Sequence, residues 1–313
     1  MRGPRHDTTT DSLPAMSVVS IVNALSVDVE EYFQVSAFEA VIAPAQWEAW
    51  PSRVAQATER LLDVFAQAGV HNTFFTLGWI AERHPRLIQR MIKDGHEVAC
   101  HGYNHTRATT QTRAQFRADI ARSKALLEDV TGAAVVGYRA ASFSIDATNL
   151  WAFPEIEAAG FRYSSSVYPV RHDLYGAPHA PRTPFRPPET TRLTEIPVST
   201  VRFAGRNFPA GGGGFFRLLP YAVSRALIRR VNDCDQVAAN MYFHPWEFDP
   251  QQPRPSGVRL KTRFRHYLNQ DRALARMQRL LTDFAWAPFC EVYRDVLDGH
   301  CALKVGSESF ARS

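Results

Sequence analysis

The chain has 313 residues, 45% hydrophobic and 21% charged, with a formal net charge of +5; this is the balance of a folded globular protein with ample length for a buried core. Its basic residues are scattered, without the basic arm or Lys-rich run that marks a nucleic-acid partner, and no apolar run is long enough to span a bilayer. The four cysteines, Cys100, Cys234, Cys290 and Cys301, form no CxxC pair, which argues against zinc-ribbon and thioredoxin-like folds and for reduced thiols.

Residues 1 to 20 lack a cationic-then-apolar signal pattern and read as a disordered leader or an overcalled start, so the expected compartment is the cytoplasm. Asn23 to Glu31 (NALSVDVEE) alternates as a strand, with Leu25, Val27 and Val29 on one face and Ser26, Asp28 and Glu30 on the other. Two carboxylates sharing a strand face are costly unless a cation sits between them; the alternative is the solvated face of an edge strand. Ser52 opens an amphipathic helix through Gln67, with Gly69 as its stop. His71 to Leu77 reads as a buried strand, Pro85 to Lys93 as a short helix, and Glu97 to Cys100 as the strand that delivers His101. His101 and His105 lie four apart across Gly102 and Asn104, a spacing that lets two imidazoles converge on one ion.

Ala114 to Val130 is a long helix with Phe116, Ile120, Ala121, Leu127 and Val130 on its apolar side, and Val135 to Arg139 is the next strand. Asp146 caps a helix carrying Trp151 and Ile156, followed by a strand at Phe161 to Ser165. Residues 166–192, rich in Pro, Arg and Thr, form a long surface excursion, and Glu195 to Val201 is strand-like. Gly211 to Gly214 is either a mobile substrate loop or a flexible linker, with the linker favoured. A helix near Pro220 to Val231 precedes the strand Ala238 to Phe243, which runs into His244-Pro245-Trp246; Phe264 to Phe284 is the last long helix.

Strands and helices alternate along nearly the whole length, which predicts a parallel sheet wrapped by helices, open or closed into a barrel. Functional groups in such folds gather at the carboxyl ends of strands. Asp28 and Glu30, His101 and His105, Arg139 and His244 all fall there. One Glu and two His make the three-ligand set of a catalytic metal site with open positions. Asp28 suits a base beside it and His244 a proton donor opposite, with Arg139 holding Asp28 ionised. Locally, Arg139 reads equally as a surface cation and His244 as a core histidine bonded to backbone.

Four segments carry a resemblance: SVDVEEYF (26–33), HGYNHT (101–106), GYRAASFSI (137–145) and YFHPWEFD (242–249) resemble the successive motifs of polysaccharide deacetylases, carbohydrate esterase family 4. EYFQVSAFE, EIPVSTVR, GGGGFFRLLPY, HPWEFDP and RFRHYLN are similar to the subgroup encoded with PEP-CTERM/exosortase exopolysaccharide loci. The likeness covers roughly residues 22 to 296, so a catalytic domain over 21–296 and a tail over 297–313 are expected.

The resemblance implies a deformed (β/α)7 barrel and metal-dependent removal of N-acetyl groups from an N-acetylated polysaccharide or oligosaccharide. The metal it implies is most often Zn2+, with Co2+ or Ni2+ accepted by the same donors. It matches Asp28 to the base, His101 and His105 to the metal ligands, Arg139 to the base-orienting arginine and His244 to the general acid. Where the family has a second adjacent carboxylate this chain has Val29, so Glu30 is the substitute ligand and Glu31 the fallback. Ala141 replaces the usual proline, and Ser164 stands where an acidic residue is common, leaving Glu195 to tune His244. Tyr103, Phe143, Trp246 and Trp79 are candidates for sugar stacking, and a backbone N–H near Tyr103 for the oxyanion.

Overall fold

The computed structural model describes residues 21–173, 176–301 and 303–306; the expected leader over 1–20 and the part of the expected tail beyond residue 306 lie outside them. Its strands are β1 (Asn23–Val29), β2 (Thr73–Thr76), β3 (Glu97–Cys100), β4 (Gly137–Tyr138), β5 (Tyr163–Ser164), β6 (Thr194–Glu195), β7 (Thr200–Phe203), β8 (Arg206–Pro209), β9 (Asn240–Phe243) and β10 (Trp286–Ala287). Among the described residues, parallel pairing in the order β9-β1-β2-β3-β4-β5-β6 gives seven strands curled into a half-barrel. Strand β10 adds only two pairs at the start of β1, and β7 and β8 form a separate antiparallel hairpin. This is the α/β, deformed seven-stranded barrel expected.

Strand β1 is buried along its whole length. Leu25, Val27 and Val29 pack into the main core with Leu61, Leu62 and Phe65 of the helix Val54–Ala68, while Ala24 joins Phe75, Ala99, Tyr163 and Phe289 in a second cluster. A parallel strand covered on both faces is the usual consequence of helical crossovers. The solvated-face alternative for Asp28 and Glu30 therefore falls, since each is 2% exposed.

Register explains why the chemistry collects at one pole. Val29 pairs with Thr76, Thr76 with Cys100, Cys100 with Tyr138, Tyr138 with Ser164, and Ser164 with Glu195. Val27 pairs with Phe243 on the other side. The next residues out of β3, β4 and β9 are His101, Arg139 and His244, so strand ends in register bring distant sequence positions together.

Several boundaries differ from the sequence reading. The helix Val54–Ala68 does end at Gly69, whose φ of +64 is the left-handed turn that glycine adopts without a Cβ penalty, but the Ser52 side chain does not cap it. The long helix Arg113–Thr131 buries Phe116, Ile120, Ser123 and Leu127, leaving Ala121 exposed. Asp146 caps a turn rather than a helix: its carboxylate accepts the Thr148 N–H at 2.8 Å, and the helix starts only at Ala152. The 166–192 segment has little regular structure yet buries Val167, Tyr168, Val170 and Phe185, so it is not a surface excursion. The strand expected over Glu195 to Val201 is two, β6 and β7, with Ile196 to Ser199 irregular between them. The last long helix is also two, Leu260–Tyr267 and Gln270–Asp283, broken where Asn269 takes φ +53. No helix among the described residues is long and apolar enough to cross a membrane, and all four cysteines are free.

Candidate metal centre

Glu30, one residue past β1, meets His101 and His105, which leave β3 through a tight loop. One ligand atom from each lies within 4.8 Å of the others, and all three residues are buried. The loop turns both rings inward with Gly102 at φ +77 and His105 at φ +55. The second value is unusual for a residue with a Cβ and marks strain held by the surroundings. Glu31, the fallback ligand, is occupied elsewhere. Its carboxylate accepts the Arg53 and Val54 N–H groups at 3.0 and 3.2 Å and the Ser52 hydroxyl at 2.5 Å, capping the helix Val54–Ala68 from another segment.

The donors fit a divalent cation. His101 Nδ1 lies 2.8 Å from the Arg139 carbonyl oxygen, which only accepts, so Nδ1 carries the proton and Nε2 keeps its lone pair. Glu30 Oε1 accepts the Trp246 indole N–H at 3.1 Å. Its Oε2 is buried, with His105 Nε2 2.8 Å away and no other polar partner among the described residues. With His101 Nε2 these atoms form a donor set that a divalent cation would fit. Burial alone would raise the Glu30 carboxyl, but the His105, His244 and His101 rings outweigh it and hold it at about 2. Burial pushes His101 down to about 4, so it stays neutral, the form that ligates.

Asp28 and Arg139 form the next layer. Arg139 is fully buried, and its guanidinium donates to Asp28 Oδ1 at 2.5 Å, Ser26 Oγ at 2.9 Å, and the Ser165 carbonyl and hydroxyl at 3.1 Å each. The surface-cation alternative for Arg139 is thereby removed. Asp28 Oδ2 lies 4.0 Å from His101 Nε2, beside the ligand cluster.

His244 closes the site from β9. Its Nε2 is 3.5 Å from Glu30 Oε1, its Nδ1 is 2.7 Å from Glu247 Oε1, and its side chain is 18% exposed, against 5% or less for Asp28, Glu30, His101 and His105. It is therefore not a core histidine bonded to backbone. Burial alone would lower its pKa, but the carboxylates of Glu30, Glu247 and Asp28 raise it to about 9 in the metal-free protein. Glu195, expected to tune His244, instead accepts the Ser166 and Val167 N–H groups at 2.7 and 2.8 Å. Sequence reasoning missed Glu247; its position three residues after His244, one turn on, was the available signal.

The aromatic candidates separate. Trp246 lies parallel to the His244 ring at 4.8 Å and to the His266 ring at 4.2 Å, and is partly exposed beside the site. Phe143 is buried against Tyr242 and Tyr168, and Trp79 against Phe33 and Trp47, so neither offers an open stacking face. Tyr103 is engaged by its own neighbours: its hydroxyl donates to Glu82 at 2.6 Å and Arg122 covers its ring. Its N–H points at the Asp119 carboxylate at 3.2 Å, which removes it as the oxyanion donor. The glycine run is not a linker. A Cβ on Gly211 would come within 2.5 Å of the Asn240 carbonyl, and one on Gly213 within 2.1 Å of Glu247 Oε2.

Residues 47–163 match the polysaccharide deacetylase family, and residues 165–294 match a domain of unknown function, DUF3473. A peptidoglycan-N-acetylglucosamine deacetylase of Bacillus cereus is 32% identical over 71 residues, 23% of this chain and 33% of that one. The chain spans about a third or less of the length of the curated relatives it matches. A solved Mycobacterium smegmatis structure described as a polysaccharide deacetylase superposes with a TM-score of 0.61 at 20% identity, covering 91% of this chain and 93% of that one. The Puue allantoinase structure gives 0.57 at 15% identity over 90% and 91%. At these identities the likeness is one of fold.

Proposed function

We propose that this chain, a member of the polysaccharide deacetylase family carrying a DUF3473 segment, hydrolyses N-acetyl groups from amino sugars of a bacterial exopolysaccharide or its precursor. The observation that carries the reading is the meeting of Glu30, His101 and His105 with Asp28 on one side and His244 on the other. A divalent cation on the three ligands, with zinc the default for this N/O set and cobalt or nickel the alternatives, supplies carbonyl polarisation and acidification of water.

The chain's own residues do the rest. Asp28, oriented by Arg139, takes the proton of the attacking water. His244 Nε2, facing the same point, gives a proton to the departing amine, so that water and an acetamide become acetate and a free amino sugar. Trp246 flanks this opening and offers the partly exposed face against which a sugar ring can lie.

Acetate release from N-acetylglucosamine oligomers, measured on chelator-stripped protein reloaded with zinc or cobalt, tests the reading. Metal-restored release that is lost in His101→Ala supports it. Release from allantoin or small cyclic imides, with none from the oligomers, transfers the chemistry to a small-amide hydrolase. One bound equivalent of metal with glycan binding and no turnover makes the protein a binder.

A further inference from the structure

We propose that the buried Arg217–Glu247 pair is the positioning device for His244, and that residues 165–294 thereby supply the acid half of the active site. This rests on the deacetylase reading for what His244 does, but not for how His244 is held. Glu247 Oε1 faces His244 Nδ1 at 2.7 Å. A carboxylate only accepts, so Nδ1 carries a proton and the ring is locked with Nε2 toward Glu30.

The carboxylate is itself fixed. Its Oε2 accepts the Arg217 Nε–H at 2.8 Å, and the two side chains are 1% and 2% exposed. The rest of the guanidinium reaches the last carbonyls around the end of the helix Leu260–Tyr267: His266 at 3.0 Å, Leu268 at 2.7 Å and Arg265 at 3.4 Å. That end of the helix also presents His266, whose ring lies on Trp246, which in turn lies on His244. One guanidinium therefore fixes both edges of the acid: the carboxylate at Nδ1 and the stack against its face. Gly213, four residues before Arg217 on the short helix Gly213–Leu218, leaves the space the carboxylate occupies.

A pair serving stability alone would be replaceable by apolar side chains at little cost. A pair that orients an acid is not, because a group acting through another changes turnover rather than substrate binding. Arg217, His244 and Glu247 all fall in the DUF3473 match, whereas His101, His105 and Arg139 fall in the deacetylase match.

The test uses the full chain with Glu247→Gln, Arg217→Lys and the double variant. In zinc-loaded protein Glu247→Gln lowers kcat for acetate release about 100-fold with KM unchanged within about twofold. Arg217→Lys lowers kcat about tenfold, and the double variant falls no lower than Glu247→Gln within about threefold, because Arg217 acts through Glu247. Independently of turnover, the metal-free protein gives a downfield proton NMR resonance for His244 Nδ1–H, assigned by its loss in His244→Ala. That resonance disappears in Glu247→Gln. Wild-type kcat in Glu247→Gln, or a resonance that stays in place, overturns the proposal. If Arg217→Lys does not fold, Glu247→Gln alone decides. If the wild-type chain releases no acetate but the resonance is still lost in Glu247→Gln, the deacetylase reading falls and the positioning pair stands.

Discussion

Replacing Arg139 separates a charge that serves the fold from one that serves only the chemistry. Arg139→Met keeps most of the buried stem but deletes the bonds to Asp28, Ser26 and Ser165 and the contact with the Phe75 ring, 3.9 Å from the guanidinium. Asp28 would then be a carboxylate 2% exposed, 4.0 Å from the neutral His101 ring. Breaking such a pair from one side costs about 3–5 kcal/mol, a large share of the roughly 5–15 kcal/mol that holds a domain together. Adding Asp28→Asn removes the stranded charge, leaving about 1–2 kcal/mol for lost hydrogen bonds. The assay is equilibrium urea unfolding of chelator-stripped protein near pH 7, comparing the wild type, both single variants and the double. Both single variants are expected to abolish acetate release, so stability carries the discrimination. A cost below about 1 kcal/mol for Arg139→Met, or a double variant as unstable as the sum of the singles, refutes the argument.

Glu30→Gln should end stoichiometric zinc uptake in equilibrium dialysis. Glu31→Gln should keep one equivalent but lose about 1–2 kcal/mol of stability with the helix cap, and equal metal loss in both would undo the assignment. Burial pushes the Glu195 carboxyl up to about 7, above its unfolded value. The native state then binds the extra proton between roughly pH 4.5 and 7, so this stabilisation is full below that window and is lost as pH rises through it. Glu195→Gln should therefore gain on the wild type by up to about 3 kcal/mol at pH 8 relative to pH 4.5, read from urea midpoints, and a pH-independent difference would contradict this. Gly213→Ala puts a Cβ 2.1 Å from the Glu247 carboxylate and should cost about 1–3 kcal/mol in thermal or urea unfolding, whereas Gly214→Ala, with nothing within 4 Å, should not.

What was legible in the sequence follows from locality. Strand alternation and the spacing of His101 and His105 are set by near neighbours, so β1, β3 and the poles they feed could be read directly. The same holds for Pro85–Lys93, bounded by a proline and a glycine, which forms over the expected residues. What could not be read depends on partners far along the chain. Glu31 looks like a ligand until its acceptors are matched to Ser52, Arg53 and Val54, which lie more than twenty residues later. Glu195 and Glu247 are both carboxylates near strand ends, and only tertiary packing gives one to backbone N–H groups and the other to His244. The glycine run carries the composition of a linker, while its role is close approach, which composition does not encode. The break at Asn269 interrupts a pattern that is helical on both sides, and the left-handed residue costs less than losing the packing it permits.

Buried carboxylates crowd this end of the barrel, and their counterparts explain the division of labour. Asp28 has the Arg139 guanidinium, Glu247 has Arg217 and the His244 ring, and Glu195 has two backbone N–H groups. Glu30 differs in its neighbours, which are imidazoles: His105 Nε2 lies 2.8 Å from Oε2, His244 Nε2 lies 3.5 Å from Oε1, and His101 completes the cluster. An unbalanced buried carboxylate is expensive, and a fold can shed that cost by an arginine, as it does twice within this same pole. Imidazoles surround Glu30 instead: His101 is neutral, the form that ligates, while His244 carries the compensating charge in the metal-free protein. A divalent cation held by Glu30, His101 and His105 would take over that compensation.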